Sequence, residues 1–349
     1  MPEILQGTYP KHHLWGIDAL VSKAYRTEIV PTFGNHPLIK IGEWLNKATR
    51  GKFGDIQAEI SILCRLRKAN LLYVAAGHLF FIPLLRRLRF IRMKIITWVF
   101  RAPPSSPFWK LSNLHLSSTI VRGFDGILCL TTRAEKQFKK LAPTSHVQFI
   151  PWAVDTSLFH PLPDSSKTEP FFLCVGKTGR DYKTFIDAAS QSEYQFRIIA
   201  PREVASDRII SPNLTFIECS DDPPDTAITY DELRLWYNQA TAICIPLNGD
   251  PEDTCGYTNL LETMAMGKPI LMTKSGCLDI DIESLGIGFW VKAHSIDDWL
   301  RKFTLICRNP KQSREMGKRA ITLVRSTYNL ERFNHDIEKF TYNIIEGMK

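Results

Sequence analysis

Phe171-Phe172-Leu173-Cys174-Val175-Gly176-Lys177-Thr178-Gly179-Arg180-Asp181-Tyr182-Lys183-Thr184 decides how this chain folds. Five apolar residues form a run short enough for a buried strand, and a turn with two glycines follows. A helix is then expected from about Asp181. Such a strand–turn–helix junction suits phosphates. N–H groups at a helix start point outward, the helix dipole is positive there, and Lys177 and Arg180 add full charges. The plainer alternative is a helix start with solvated cations.

Outward from this junction the same alternation runs through the whole chain, which predicts β-α-β units and parallel sheets. In the first half, strands are expected at Ile4–Gly7, Glu28–Val30, Leu71–Ala75, Lys94–Val99, Gly126–Thr131 and Val147–Ile150. Helical patterns cover Ile56–Arg67, Leu79–Arg92, Ser112–Arg122 and Arg133–Leu141. In the second half, strands are expected at Phe171–Val175, Gln195–Ala200, Leu214–Glu218, Ala242–Pro246, Pro269–Thr273 and Gly288–Val291, with helices from Ser295 to Met348. The Pro- and Ser-rich segment Leu158–Pro170 reads as a linker. The expected organisation is a Rossmann-like domain over 1–157, a linker over 158–170, a second Rossmann-like domain over 171–328, and a terminal helix over 329–349 that crosses back to the first domain. Two doubly wound sheets in succession place a ligand cleft at the carboxyl ends of their strands.

A second segment, Gly256-Tyr257-Thr258-Asn259-Leu260-Leu261-Glu262-Thr263-Met264-Ala265-Met266-Gly267-Lys268-Pro269-Ile270, leads from the strand at 242–246 into a short helix stopped by Gly267 and Pro269. Glu262 is expected in the first turn, off the apolar face, where a carboxylate can accept two hydroxyl hydrogen bonds. The structural alternative is a capping box between Asn259 and Glu262.

With both segments in view, residues 256–270 resemble the donor-site signature of retaining GT-B glycosyltransferases of family four and its relatives. Residues 175–184 are similar to the phosphate-binding turn of the same enzymes. The resemblance rests on residues 171–293 and implies a GT-B fold, α/β, with a nucleotide-sugar donor bound by the second domain. It assigns Glu262 to the ribose hydroxyls, the amides of Thr258 and Asn259 to the diphosphate, and Lys177 and Arg180 to its neutralisation, with Gly176, Gly256 and Tyr257 shaping the site. Relatives have arginine directly after the strand glycine and lysine further on; here the order is reversed. Relatives also carry a sugar-binding glutamate eight positions before the ribose-binding one. That position is Thr254 here, with Asp253 beside it as the replacement candidate. The co-substrate implied is a UDP- or GDP-linked sugar, with no resident cofactor.

Stabilising the negative charge on a departing diphosphate with fixed cations and amides lowers the barrier without a metal, and no metal-binding cluster is expected from spacing. In the first half, Gly7 and Thr8 lead into His12 and His13, candidates for a catalytic base near neutral pH; capping histidines on a helix are the alternative. His78, after the strand at 71–75, is a further cleft candidate, and Asp18 and Asp125 are weaker ones.

The chain has 349 residues and a net charge of +8. Residues 1–155 carry 22 Lys+Arg against 9 Asp+Glu, whereas the rest carries 22 against 27. A basic first half points to an anionic partner. Between Ile60 and Trp98 eight cations and no acid are interleaved with Leu79, Phe80, Phe81, Leu84, Leu85, Leu88, Phe90 and Ile91. Such a helix can lie on anionic headgroups through Arg86, Arg87, Arg89 and Arg92; a buried helix with arginines at its rim is the alternative. The same arginines break up the apolar run, so no spanning helix is expected. Aliphatics rather than spaced aromatics argue against a nucleic-acid partner. Eight scattered cysteines and no secretory leader suggest a reduced, cytoplasmic protein, peripheral on the inner face of a membrane.

The function these features imply is transfer of a hexosyl unit to a hydroxyl of a lipid, lipid-linked glycan or hydrophobic acceptor. The alternatives are a nucleotide-sugar epimerase on the same scaffold and a catalytically silent sugar-nucleotide-binding protein.

Overall fold

The computed structural model describes residues 8–22, 25–30, 37–49, 53–65, 69–75, 78–101, 114–163, 169–205, 211–219, 228–250, 254–274 and 278–347. Contacts divide the chain into two compact units, one of residues 1–13 and 153–332, the other of residues 14–152 and 333–349.

The second of these units holds a parallel sheet of four strands in the order β1 (Leu71–Val74), β2 (Lys94–Val99), β3 (Gly126–Cys129) and β4 (His146–Phe149). Strands β2 and β3 are buried almost throughout, as parallel strands covered on both faces must be. The helices of this part are α1 (Ile17–Ser22), α2 (Pro37–Thr49), α3 (Ile56–Leu63), α4 (Phe81–Arg87), α5 (Leu114–Val121) and α6 (Thr132–Leu141). Expectation and structure differ at two places, and a further expected strand cannot be compared. Residues 28–30 are exposed or half-buried without regular structure, because only Ile29 and Val30 are apolar ahead of Pro31, too short a run to pair. Ile4–Gly7 lies outside the described residues. Helix α2 was not anticipated; its apolar residues are interspersed with Gly42 and Asn46, yet Ile39 and Gly42 are buried, and Gly42 sits close to Gln57 and Ile60 around α3.

The basic helix is also shorter than expected. Glu59, 1% exposed, accepts the N–H groups of Phe80 (2.6 Å) and Ile82 (2.5 Å), which anchors the start of α4. The helix stops at Arg87, and Arg89 adopts a positive φ of 66°. Arg86 is bonded to Asp125 through Nε (3.0 Å) and Nη2 (2.8 Å), with Lys94 3.3 Å from the same carboxylate. That bidentate pair takes Arg86 out of any surface role and gives Asp125 a structural one. Leu88 (56%) and Phe90 (77%) are exposed together with Arg87, Arg89 and Arg92.

The other unit contains six parallel strands in the order β10-β9-β8-β5-β6-β7. They are β5 (Phe171–Val175), β6 (Gln195–Ala200), β7 (Leu214–Glu218), β8 (Ala242–Ile245), β9 (Ile270–Thr273) and β10 (Gly288–Val291). Its helices are α7 (Tyr182–Ser190), α8 (Arg202–Ala205), α9 (Tyr230–Gln239), α10 (Tyr257–Ala265), α11 (Ile296–Arg308) and α12 (Pro310–Thr327), and the start of α13 (Leu330–Glu346) follows. Phe172, Phe185, Phe196, Trp299 and Phe303 interlock in a core where Phe196 and Phe303 centroids lie 4.8 Å apart. The strand order reverses direction between β5 and β8. In a doubly wound sheet, the crevice at the carboxyl ends of two such strands receives the ligand.

Unit boundaries fall at His13/Leu14, Trp152/Ala153 and Arg332/Phe333, not at the Pro-rich segment. Within that segment Leu158 and Phe159 are 4% and 0% exposed, so they are core residues rather than linker. Residues around Lys11 and His12 cluster with the second half of the chain, contrary to the expected 1–157 domain. The cause is long-range bonding: the Lys11 N–H donates to Asp155 Oδ2 (3.0 Å), and His12 Nδ1 accepts the Asp155 N–H (3.1 Å).

Candidate donor-binding site

Both loops at the switch point carry the segments singled out by sequence. After β5 the chain turns through Gly176 to Arg180, which bridges to Leu247 in the loop after β8. The Asp181 N–H donates to the Pro246 carbonyl (3.0 Å) and the Asn248 N–H to the Gly179 carbonyl (3.3 Å), fastening the loops together.

Gly176 has a φ of +153°, and a β-carbon there would lie 2.3 Å from Arg180 Nε and 2.6 Å from its Cζ. The guanidinium therefore lies against the glycine backbone. Arg180 Nη1 donates to the Thr178 carbonyl (2.8 Å), and Nη2 donates to the Val175 carbonyl (3.5 Å) and to Asn259 Oδ1. All three partners are neutral, so this partly buried cation is held in place without a counter-ion among them. The contact with Asn259 brings the two sequence segments, 79 residues apart, into one site.

The two helix starts differ from expectation. Helix α7 is closed by its own Asp181, whose carboxylate accepts the Thr184 N–H (3.1 Å) and lies 2.7 Å from His294 Nδ1. A foreign anion is thus not needed there. Helix α10 begins at Gly256, with a φ of +82° and no side-chain cap. A β-carbon on Gly256 would fall 2.9 Å from Ile245, so glycine is required on both counts. Tyr257, Thr258 and Asn259 form the first turn of α10, where N–H groups lack intrahelical acceptors.

Glu262 is consequently in the second turn of α10, not the first, and it is 2% exposed. Met266 is 1% exposed as well, so α10 is buried on nearly every side rather than on one face. No capping box links Asn259 to Glu262. Instead Tyr237 donates its hydroxyl proton to Glu262 Oε2 (3.0 Å) and accepts from Asn259 Nδ2 (3.2 Å). Tyr237 was missed by sequence reasoning. Its place in α9, Leu-Trp-Tyr against an apolar background, reads as core, and only the fold brings its hydroxyl to the carboxylate.

His12, 1% exposed, presents Nε2 3.7 Å from Glu262 Oε1. Because Nδ1 accepts a backbone N–H, the ring proton of the neutral form sits on Nε2 and faces the carboxylate. In this tautomer the one basic lone pair of His12 is engaged on Nδ1 by the Asp155 amide, which runs against the base expected there. His13 is pushed down to about 3 by burial, reinforced by the neighbouring His12, so it stays neutral at physiological pH and is far too weak a base. Ligand atoms of His12, His13 and Glu262 lie within 4.8 Å of one another. The His12 tautomer presents a donor to that space, and a donor cannot coordinate a cation.

Other expected residues fall as follows. Lys177 and Thr254 are described, half-buried or exposed, in the two switch-point loops. Thr8 precedes the aromatic contact of Tyr9 with Tyr230, 5.4 Å between ring centroids. His78 belongs to the other unit, where its carbonyl accepts the Asp55 N–H (2.7 Å) and burial lowers its pKa. Asp18 also belongs there and accepts from Asn334 Nδ2 (3.2 Å). Gly7 and Asp253 lie outside the described residues.

Two all-parallel α/β units, one with a switch-point site of this kind, define the GT-B fold. Residues 227–323 match the model of the family described as Glycosyl transferases group 1. No curated protein matches the sequence. Among solved structures, sucrose-phosphate synthase from Thermosynechococcus elongatus superposes with a TM-score of 0.63 at 14% identity, over 93% of this chain and 82% of that one. HepE from Anabaena, in complex with UDP, gives 0.61 at 12% identity over 82% of each chain. WaaG, a glycosyltransferase involved in lipopolysaccharide biosynthesis, gives 0.60 at 11% identity over 95% of each.

Proposed function

We propose that this protein transfers a hexosyl unit from a nucleoside-diphosphate sugar to a hydroxyl of a lipid, lipid-linked glycan or other hydrophobic acceptor. The observation that carries the reading is Arg180: a cation fixed by neutral oxygens beside the uncapped start of α10. Bringing a diphosphate there supplies Arg180 with a counter-ion and gives the first-turn amides of Thr258 and Asn259 an acceptor. Lys177, on the same turn, adds a second positive charge. When the sugar–phosphate bond breaks, these groups hold the charge that develops on the leaving diphosphate without rearranging and without a metal. Glu262 accepts the ribose hydroxyls. UDP is the favoured nucleotide, because HepE has been captured with UDP and with UDP-glucose.

A membrane-bound acceptor is supported by the tip after α4. Arg87, Arg89 and Arg92 surround exposed Leu88 and Phe90, and cations near an anionic surface contribute on the order of 1 kcal/mol each. No helix among the described residues is long and apolar enough to cross a membrane.

Thermal-shift and calorimetric titration with UDP, GDP and ADP tests the donor site. Stabilisation by UDP is expected, weaker in Glu262→Ala; no response to any of the three removes the reading. Flotation with vesicles containing phosphatidylserine tests the tip. Arg87→Gln, Arg89→Gln and Arg92→Gln together should release the protein, whereas Arg86→Gln alone should act through stability.

A further inference from the structure

The hydrogen bonds joining Arg180 to Glu262 run in one direction only. Arginine can donate but never accept, so Asn259 must turn its carbonyl oxygen, Oδ1, toward Arg180. That choice fixes the other end of the amide: Nδ2 is a donor, and it faces the Tyr237 hydroxyl at 3.2 Å. The hydroxyl, accepting there, turns its own proton to Glu262 Oε2 at 3.0 Å. Every link is set by the one before it. Tyr237 is fully buried, and burial next to the Glu262 charge drives its phenol well above the ordinary range, so the hydroxyl remains a proton donor throughout. In a medium that excludes water, such chains polarise each other and hold their members in one rotamer.

We propose that Tyr237, working through the Asn259 side chain, is a positioning residue that couples the phosphate-facing Arg180 to the ribose-facing Glu262. This rests on the donor-site reading above. The carboxylate is held by its Oε2, so its remaining lone pairs keep a fixed direction for ribose hydroxyls. When a diphosphate draws the guanidinium, the Asn259 amide and the Tyr237 hydroxyl respond in sequence. The diphosphate and ribose contacts then strengthen one another instead of adding independently. Without the phenolic oxygen, Glu262 keeps its burial but loses its orientation, and discrimination for the ribose hydroxyl falls.

The test is calorimetric titration of the full chain with UDP and with 2′-deoxy-UDP, for wild type and Tyr237→Phe. Wild type is expected to prefer UDP by about tenfold, the worth of one good hydrogen bond to a charged group. In Tyr237→Phe that ratio should shrink to within about threefold, and the affinity for UDP should fall. A purely structural tyrosine would lower the unfolding midpoint and leave the ratio where it was. Asn259→Ser severs the relay at its middle link, and serves if Tyr237→Phe does not fold; a smaller narrowing of the same ratio is expected. An unchanged ratio in the variants, with UDP still bound by wild type, overturns the coupling alone. Failure of wild type to bind UDP or GDP overturns the coupling and the donor-site reading together.

Discussion

Helices α7 and α10 both start in loops at the carboxyl ends of the central strands β5 and β8, and they treat their dipoles in opposite ways. Helix α7 supplies its own anion: Asp181 caps it and also meets His294. Helix α10 starts on a glycine with no oxygen to offer, and the nearby cation, Arg180, leans toward it through Asn259. One start is closed by its own carboxylate; the other has no capping side chain, and in the proposed reading the donor diphosphate supplies the charge there. A dipole and two cations near a turn are therefore insufficient to mark a phosphate site. The absence of a capping side chain is what separates the two.

The largest effect that bears on this contrast is expected from Arg180→Ala. Removing a charge from a desolvated site costs about 2–4 kcal/mol in binding, so the UDP dissociation constant should rise by roughly 30-fold or more. Arg180→Lys should recover only part, because an ammonium cannot reach the Thr178 carbonyl and Asn259 at once. If Arg180→Ala binds UDP as wild type does, α10 is not the open start.

Protonation should separate the two neighbourhoods next. His13, near α10, titrates at about 3 in the folded protein against about 6.5 when unfolded. The unfolded chain takes up the proton first as pH falls, so stability is lost between pH 6.5 and 3. From pH 7 to pH 5 this amounts to about 2 kcal/mol, measurable by urea unfolding as the difference between wild type and His13→Asn.

Gly176→Ala should displace the guanidinium that lies against it, weakening UDP binding by about tenfold, or ~1.4 kcal/mol, with a modest loss of stability. The smallest effect is expected from Asp181→Ala. Loss of a cap costs about 1 kcal/mol in urea unfolding, and the nucleotide affinity should not change. A drop in affinity comparable to that of Gly176→Ala would mean that α7 takes part in binding after all.

Much of the fold could be read from sequence because parallel strands announce themselves locally. All six strands expected after residue 170 begin within one residue of their positions, since stretches such as Phe171–Val175 and Ala242–Ile245 are unbroken apolar runs bounded by turns. The pairing of the 175–184 and 256–270 segments was legible for a similar reason: both are strand-to-helix junctions, and a doubly wound sheet brings such junctions together. What sequence did not show depends on distant contacts. Tyr237 looks like any core aromatic until α9 is packed beside α10. His12 and His13 look like reactive histidines until an amide 143 residues away occupies one and burial silences the other. Arg86 looked like its three neighbours, and only Asp125, 39 residues on, sets it apart.

The membership of residues up to His13 in the same unit as residues 153–332 has a practical meaning for anyone who wants to swap halves between related enzymes. A cut placed in the Pro-rich segment, or even at Ala153, leaves Lys11 and His12 on the wrong piece. The second half would then lose the ring that faces Glu262 and the amide partner of the Asp155 side chain. A chimera that exchanges only the contiguous second half therefore mixes two parents inside one site; carrying the first dozen residues along with it keeps that site of single origin.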